Sequence, residues 1–136
     1  MVRFNTQLPI YVFILVTMYF VSGVDKLFHF EKVVAGLHKR ASFIPLFMCN
    51  LMIGCAIMIE LLAPLGCVYA SLRMNDSRAI EIGRWSTYSL IVFTIMATLL
   101  YHFPPTTSAK YYPFMSNLAT TGGLLVLSYV FGTKSG

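Results

Sequence analysis

Two ionisable side chains inside long apolar stretches are the first residues in this sequence that could do chemistry. Glu60 is the only ionisable acid in the apolar run Ala41–Leu72, and Lys26 is the one cation candidate inside a neighbouring run. Moving an acid to the centre of a bilayer costs about 2.5–3.5 kcal/mol on insertion scales, so such residues normally face a polar partner. Glu60 therefore either pairs with Lys26, or carries a proton and donates a hydrogen bond to a hydroxyl or carbonyl. Its role is that of a structural acid, a proton-handling or quinone-contacting acid, or an oligomer contact.

Polar and small residues in the other apolar runs supply further members of a candidate intramembrane polar site. Ser22 lies near the end of the first run, Asn50 in the second and Asn117 in the fourth. Such residues are typical of surfaces where membrane helices pack closely, and ligand contacts are the alternative. We predict that Ser22 and Gly23 approach Glu60 or Asn50 across the first helix pair.

Three ring-bearing side chains lie where apolar runs end. His29 follows the first run, while Tyr101 and His102 close the third, so the two histidines emerge on the same side. They are candidate interfacial or quinone contacts. A haem would need axial ligands at matching depth on facing helices, and these histidines match in depth only. Ordinary interfacial histidines are the favoured interpretation.

The cysteines do not indicate a metal site. Cys49, Cys55 and Cys67 are six and twelve residues apart in one run and form no CxxC pair. At 100° per residue they cannot share one stripe of a straight helix, so buried apolar thiols are expected. The sequence carries no nucleophile elbow, phosphate loop or dinucleotide fingerprint. We predict no metal and no catalytic residue.

The elements that must position these residues are four long apolar segments. A helix needs about 20 apolar residues to cross a hydrocarbon core of about 30 Å. The predicted spans are approximately residues 8–30, 43–72, 85–103 and 112–132. They predict one all-α domain over residues 1–136, an integral membrane four-helix bundle with both termini on the same side.

Composition supports a membrane protein and argues against nucleic-acid binding. Hydrophobic residues make up 57% of the chain and charged residues 11%, against about 25% charged in a typical soluble domain. The net charge of +5 is spread over the ends of the spans, where basic side chains normally meet lipid headgroups. The first apolar run, Leu8–Val24, is 17 residues long, more than the 7–15 of a signal-peptide core, so we expect a transmembrane helix.

Three expectations concern the segments between and within the spans. A short connection around Gly36–Arg40 should join the first two spans, and Pro64 should kink the second near Leu61–Pro64. The polar stretch Arg73–Arg84 should form a loop or a short surface helix. Lysines and arginines divide five and five between the two predicted sides, so they indicate no orientation.

The chain resembles the DoxX family of small four-span membrane proteins over nearly its whole length. The motifs that carry the resemblance are Gly23 with Lys26-Leu27, Glu60-Leu61-Leu62 through Gly66, Ala97 with His102, and Asn117 with Gly122-Gly123. The family includes DoxD-type subunits of quinone-linked oxidoreductases and relatives that act in assembly or trafficking of membrane proteins. The resemblance implies a four-span fold and a connection to membrane redox chemistry. The more charged second loop and the short C-terminal segment depart from the family pattern.

The leading functional prediction is a non-catalytic accessory subunit of a larger membrane redox assembly, of the respiratory-chain kind. Its partners would be other membrane subunits and lipids, including a structural lipid such as cardiolipin, with no cofactor and no nucleic acid. One alternative is a quinone-linked oxidoreductase subunit in which Glu60 accepts a proton and His102 or Tyr101 contacts the quinone. Another is an assembly or trafficking factor. The expected location is the mitochondrial inner membrane, or else a bacterial plasma membrane.

Overall fold

The computed structural model describes residues 4–135, so residues 1–3 and 136 of the predicted domain lie outside the described part. The described residues fold into five α-helices and contain no β-strand. The helices are α1 (Phe4–Phe28), α2 (Phe30–Arg40), α3 (Leu46–Leu72), α4 (Ser77–Tyr101) and α5 (Ser108–Ser135). The all-α prediction is confirmed.

Each predicted span corresponds to one long helix, but the boundaries differ. The helices α1 and α4 begin and end earlier than predicted, α3 begins later, and α5 is longer at both ends. The largest difference is at α4, which begins at Ser77 instead of residue 85. Asp76 caps this helix, because its carboxylate accepts a hydrogen bond from the backbone N–H of Arg78 at 3.0 Å. The polar stretch predicted as a loop or short surface helix is therefore mostly the first two turns of α4.

The helix α3 continues without interruption through Pro64. It has 27 residues, and at 1.5 Å per residue it is about 40 Å long. The predicted kink near Leu61–Pro64 does not break the helix. Pro64 nevertheless has no N–H to donate to the carbonyl four residues earlier, which is that of Glu60. The proline therefore removes one helical hydrogen bond from the turn that carries the acid.

The short helix α2 is amphipathic, and the sequence analysis missed it. Val34 and Leu37 are buried against Cys49 and Ile53 of α3, whereas the charged side chains of α2 are exposed. Apolar residues at positions 30, 33, 34 and 37 follow the helical period. The short connection expected around Gly36–Arg40 is instead the last part of α2, and the chain connects to α3 through residues 41–45.

The long helices pack around α3 and α4. The helix α3 packs along α1 and α4, α4 packs along α5, and α2 covers one end of α3. Glycines allow α3 and α4 to approach closely, since a Cβ at Gly66 would collide with Ser86, and one at Gly83 would collide with Ala70. α1 touches α5 less extensively, with Gly123 against the side chain of Leu15. The main core cluster includes Val12, Val16, Tyr19, Cys67, Leu90, Leu124 and Phe131.

Three of the long helices are long and apolar enough to cross a membrane. They are Thr6–Phe28, Leu46–Leu72 and Ser108–Lys134. The fourth predicted span, α4, is not among them, because Arg78, Glu81 and Arg84 occupy its first turns. Much of the helix surface is nevertheless apolar and exposed, as expected of a surface in contact with lipid.

Candidate functional site

The acid and the cation that stood out in the sequence form an ion pair in the structure. Lys26 Nζ donates a hydrogen bond to Glu60 Oε1 at 2.9 Å and lies 2.9 Å from Oε2. The Oε2 contact is an ion-pair contact without hydrogen-bond geometry. The same ammonium donates to Ser22 Oγ, one turn earlier on α1, at 2.6 Å. Three of the predicted site residues therefore meet at one point.

A glycine lets the two helices come close enough for this pairing. A Cβ at Gly23 would lie 3.0 Å from the Cβ of Glu60 and 3.0 Å from Cδ2 of Leu61. These distances are shorter than ordinary contacts, so any side chain at this position would push α1 away from α3. The predicted approach of Ser22 and Gly23 to Glu60 is present in the structure.

The two partners of the ion pair differ in exposure. The side chain of Glu60 is 3% exposed, whereas that of Lys26 is 22% exposed. The carboxylate is thus enclosed by protein, and the ammonium faces open space. A group entering that space would meet a positive charge first, with the negative charge behind it.

That open space is a cavity of about 1610 Å³. Side chains from α1, α3 and α4 form most of its wall, with α2 and the first turns of α5 at one end. The lining is mainly apolar, and it includes both members of the ion pair. The exposed side chains of Trp85, Met96 and Leu99 also line the cavity, so it opens onto the apolar outer surface.

A buried hydroxyl pair, which the sequence analysis missed, lies in the same wall. The hydroxyl of Tyr19 is hydrogen bonded to that of Thr94, joining α1 to α4 through the interior. Thr94 also donates to the carbonyl of Leu90 at 2.6 Å. Tyr19 is 3% exposed, and it was not among the predicted site residues. Only its position in the middle of the first apolar run could have indicated a buried partner.

The mouth of the cavity holds two of the predicted interfacial residues together with two cations. The guanidinium of Arg40 lies 4.9 Å from the centre of the Tyr101 ring, and its Nη1 donates to the Tyr101 carbonyl at 3.3 Å. His102 lies just beyond the end of α4, and burial, then the charges of Arg40 and Lys110, lower its pKa below the ordinary value. This end of the cavity is thus rich in positive charge.

The other predicted site residues are placed differently. His29 lines the cavity and contacts Asp25, with Nδ1 3.0 Å from the backbone carbonyl and 3.3 Å from Oδ1. Asn117 also lines the cavity, and its Nδ2 donates to Thr98 Oγ1 at 3.0 Å. Asn50, in contrast, is exposed on α3 and does not line the cavity. Its placement in the polar site was wrong, because the sequence does not tell which face of α3 turns inward.

The cysteines and the other ligating residues form no metal site within residues 4–135. No group of three or more His, Cys, Asp or Glu side chains there is placed to hold a metal ion. Cys49 and Cys67 are buried, as expected of apolar thiols, but Cys55 is exposed. Of the three thiols, only that of Cys55 is therefore accessible to a thiol reagent in the folded chain.

Comparison of the chain with protein-family models, curated proteins and solved structures finds no match. The resemblance to the DoxX family stays a prediction carried by its motifs. The ion pair, the cavity and the basic mouth are the observations from which a function can be argued.

Proposed function

We propose that this chain is a multi-pass membrane protein in which α1, α3, α4 and α5 all cross the bilayer. The helix α4 packs between α3 and α5, both of which are long and apolar enough to cross. Its apolar part, from residue 85 to residue 101, must then lie at the same depth as theirs. At 1.5 Å per residue this part is about 25 Å long, close to the thickness of the hydrocarbon core. Four crossings put both termini on one side.

Within this arrangement, the function we propose is that of a non-catalytic subunit of a larger membrane redox assembly. The observation that carries the non-catalytic role is the ion pair between Lys26 and Glu60. A carboxylate with an ammonium 2.9 Å from each of its oxygens already has its charge partner within the protein. Such a pair joins α1 to α3 and gives the acid a structural role that needs no substrate or cofactor.

The redox assembly itself is supported by the resemblance to the DoxX family. Its motifs include the lysine, the glutamate and the glycine that meet in the ion-pair site. A respiratory assembly in the mitochondrial inner membrane, or in a bacterial plasma membrane, is the setting that this resemblance implies. Other membrane subunits would cover part of the exposed apolar surface.

A comparison of two variants in native membranes tests this proposal. In mild detergent, the chain should migrate in a native gel within an assembly much larger than its own 15.3 kDa, and that assembly should carry redox activity. Glu60→Gln should retain assembly and turnover, because the amide still accepts from Lys26. Glu60→Leu should lose assembly. A Gln variant that assembles but has no turnover would show that Glu60 handles protons.

The cavity favours a second candidate function, a quinone-linked oxidoreductase subunit. A quinone carbonyl could accept a hydrogen bond from Lys26, and the apolar wall would enclose the isoprenoid tail. Tyr101 and His102 would contact a headgroup held nearer the mouth. Trp85 is the only tryptophan and lines the cavity, so a bound quinone should quench its fluorescence. Unchanged fluorescence at saturating ubiquinone in detergent would count against this candidate.

A further inference from the structure

We infer that the mouth of the cavity binds the anionic headgroup of a phospholipid whose acyl chains lie in the cavity. This inference goes beyond the proposed function, and it requires only that the chain lies in a membrane. The mouth is defined by five side chains that line the same cavity: His29, Lys32, Arg40, His102 and Lys110.

At the mouth of the cavity, positively charged side chains outnumber negatively charged ones. Deep in the cavity, Lys26 and Glu60 neutralise each other. The remaining charged side chains of the lining are the cations Lys32, Arg40 and Lys110 and a single carboxylate, that of Asp25. That carboxylate lies 3.3 Å from a ring nitrogen of His29. The mouth therefore carries three cations against one partly engaged anion.

Arg40 is held in place for such a ligand. Stacking on Tyr101 fixes the plane of the guanidinium, and one hydrogen bond to the Tyr101 carbonyl uses one of its five N–H donors. A guanidinium with free donors and fixed orientation suits the bidentate recognition of a phosphate. Lys110, in the first turns of α5, lines the same cavity as Arg40, so both cations are open to a ligand in it.

The wall below the mouth fits acyl chains. It is formed mainly by apolar side chains, among them Leu37, Ile53, Val92, Phe93 and Leu100. The exposed Met96 and Leu99 continue it onto the outer surface, so a lipid can enter sideways from the bilayer. Charge complementarity selects the occupant. An anionic headgroup is attracted to the mouth by its net negative charge, whereas in phosphatidylcholine the choline cation offsets the attraction of the phosphate. A quinone has no charge, so quinone binding leaves the basic mouth unexplained.

Native mass spectrometry of the purified chain in detergent tests the inference. The probes are dioleoyl phosphatidylglycerol and dioleoyl phosphatidylcholine, which have the same chains and differ in headgroup charge. The wild-type chain should bind phosphatidylglycerol in preference to phosphatidylcholine. Since a basic residue near an anionic lipid contributes about a fivefold increase in binding, Arg40→Gln and Lys110→Gln should each weaken phosphatidylglycerol binding about fivefold. Both substitutions should weaken phosphatidylcholine binding less, because its choline cation offsets the attraction of its phosphate to the mouth.

Lys39 supplies the matched control. It is next to Arg40 on α2 and is exposed, but it does not line the cavity. Lys39→Gln should therefore leave phosphatidylglycerol binding unchanged. Equal weakening by Lys39→Gln and Arg40→Gln would indicate general surface attraction and overturn the site. Arg40 links α2 to Tyr101 of α4, so Arg40→Gln could prevent folding. In that case Lys110→Gln decides the result alone.

A soluble competitor separates a lipid site from a phosphate site. Glycerol 3-phosphate carries the anionic group without the chains, and at equal concentration it should not displace phosphatidylglycerol. Displacement at equal concentration would mean that the phosphate alone is recognised, and the lipid assignment would be withdrawn. Equal binding of the two phospholipids by the wild-type chain would also overturn the inference.

Discussion

Replacing Lys26 and replacing Glu60 should lower the free energy of unfolding by different amounts, and replacing both residues together should restore it. Lys26→Met leaves a carboxylate that is 3% exposed without its cation, whereas Glu60→Leu leaves an ammonium that is 22% exposed and still bonded to Ser22. The lysine substitution is therefore the more damaging one. Met and Leu are chosen because they approximate the volumes that they replace.

The expected magnitudes follow from these exposures. Removing one partner of a buried pair costs about 3–5 kcal/mol, and Lys26→Met should fall in this range. Glu60→Leu should cost about 1–3 kcal/mol, the cost of one polar group left unsatisfied, because the remaining ammonium faces the cavity. The double variant should return to within about 1 kcal/mol of the wild type, since replacing a whole buried pair by apolar groups is often neutral or stabilising. The coupling energy is then about 3 kcal/mol or more.

The buried cysteines provide the assay. Cys49 and Cys67 are buried, so a fluorogenic maleimide reports their exposure during unfolding in detergent, in a background with Cys55→Ser. Asp25→Asn is the matched control, because it removes a carboxylate from an exposed contact with His29 and should cost less than about 1 kcal/mol. Additive effects of the two single substitutions, with a coupling energy below about 0.5 kcal/mol, would refute the reasoning.

Three further predictions concern packing and access. Gly23→Ala should weaken the contact of α1 with α3 and lower the unfolding temperature, because its Cβ would lie 3.0 Å from two atoms of α3. Gly54→Ala is the control and should leave the unfolding temperature unchanged, because its Cβ would meet nothing within 4 Å. Equal effects of the two substitutions would contradict the packing. A membrane-permeant maleimide should label Cys55 alone in the folded chain, as mass spectrometry would show, and stoichiometric labelling of a second thiol would contradict the burial. Tyr19→Phe should cost about 0.5–1.5 kcal/mol in the same unfolding assay, the net contribution of one hydrogen bond, because the Thr94 hydroxyl loses its partner on α1 but still donates to the carbonyl of Leu90. An unchanged stability would contradict a contribution of this bond to the packing of α1 on α4.

The sequence was sufficient to name the members of the ion-pair site as candidates, with a protonated Glu60 as the open alternative, because charge is rare in an apolar chain. Glu60 in a long apolar run required a polar neighbour, and Lys26 was the one cation within reach. The small residues Ser22 and Gly23 marked where the helices could approach. The helical class followed from the same runs, since a long segment without charge leaves few other ways to satisfy its backbone.

Other features could not be predicted because they depend on how each helix is rotated. Asn50 and Asn117 are both asparagines within apolar runs, yet Asn50 faces outward and Asn117 faces the cavity. Tyr19 was not predicted as a site residue, because its partner Thr94 lies on α4 and the sequence does not show that the two residues face each other. The basic mouth brings α2 together with the end of α4 and the start of α5, and Arg40 of α2 is 61 residues away from Tyr101 of α4 in the chain. A pattern of neighbouring residues in the sequence does not predict a contact between such distant segments.

The sideways opening of the cavity changes what controls its occupancy. A molecule that enters past Met96 and Leu99 arrives already dissolved in the hydrocarbon of the membrane, so its effective concentration is its mole fraction among the lipids, whatever the volume of surrounding water. By mass action, a modest intrinsic affinity then suffices to fill the site in a native membrane. Once detergent has diluted the native lipid, the same affinity leaves the site largely empty until lipid is added back. The occupant is thus set by the composition of the bilayer, and the same chain placed in two different membranes would hold different molecules.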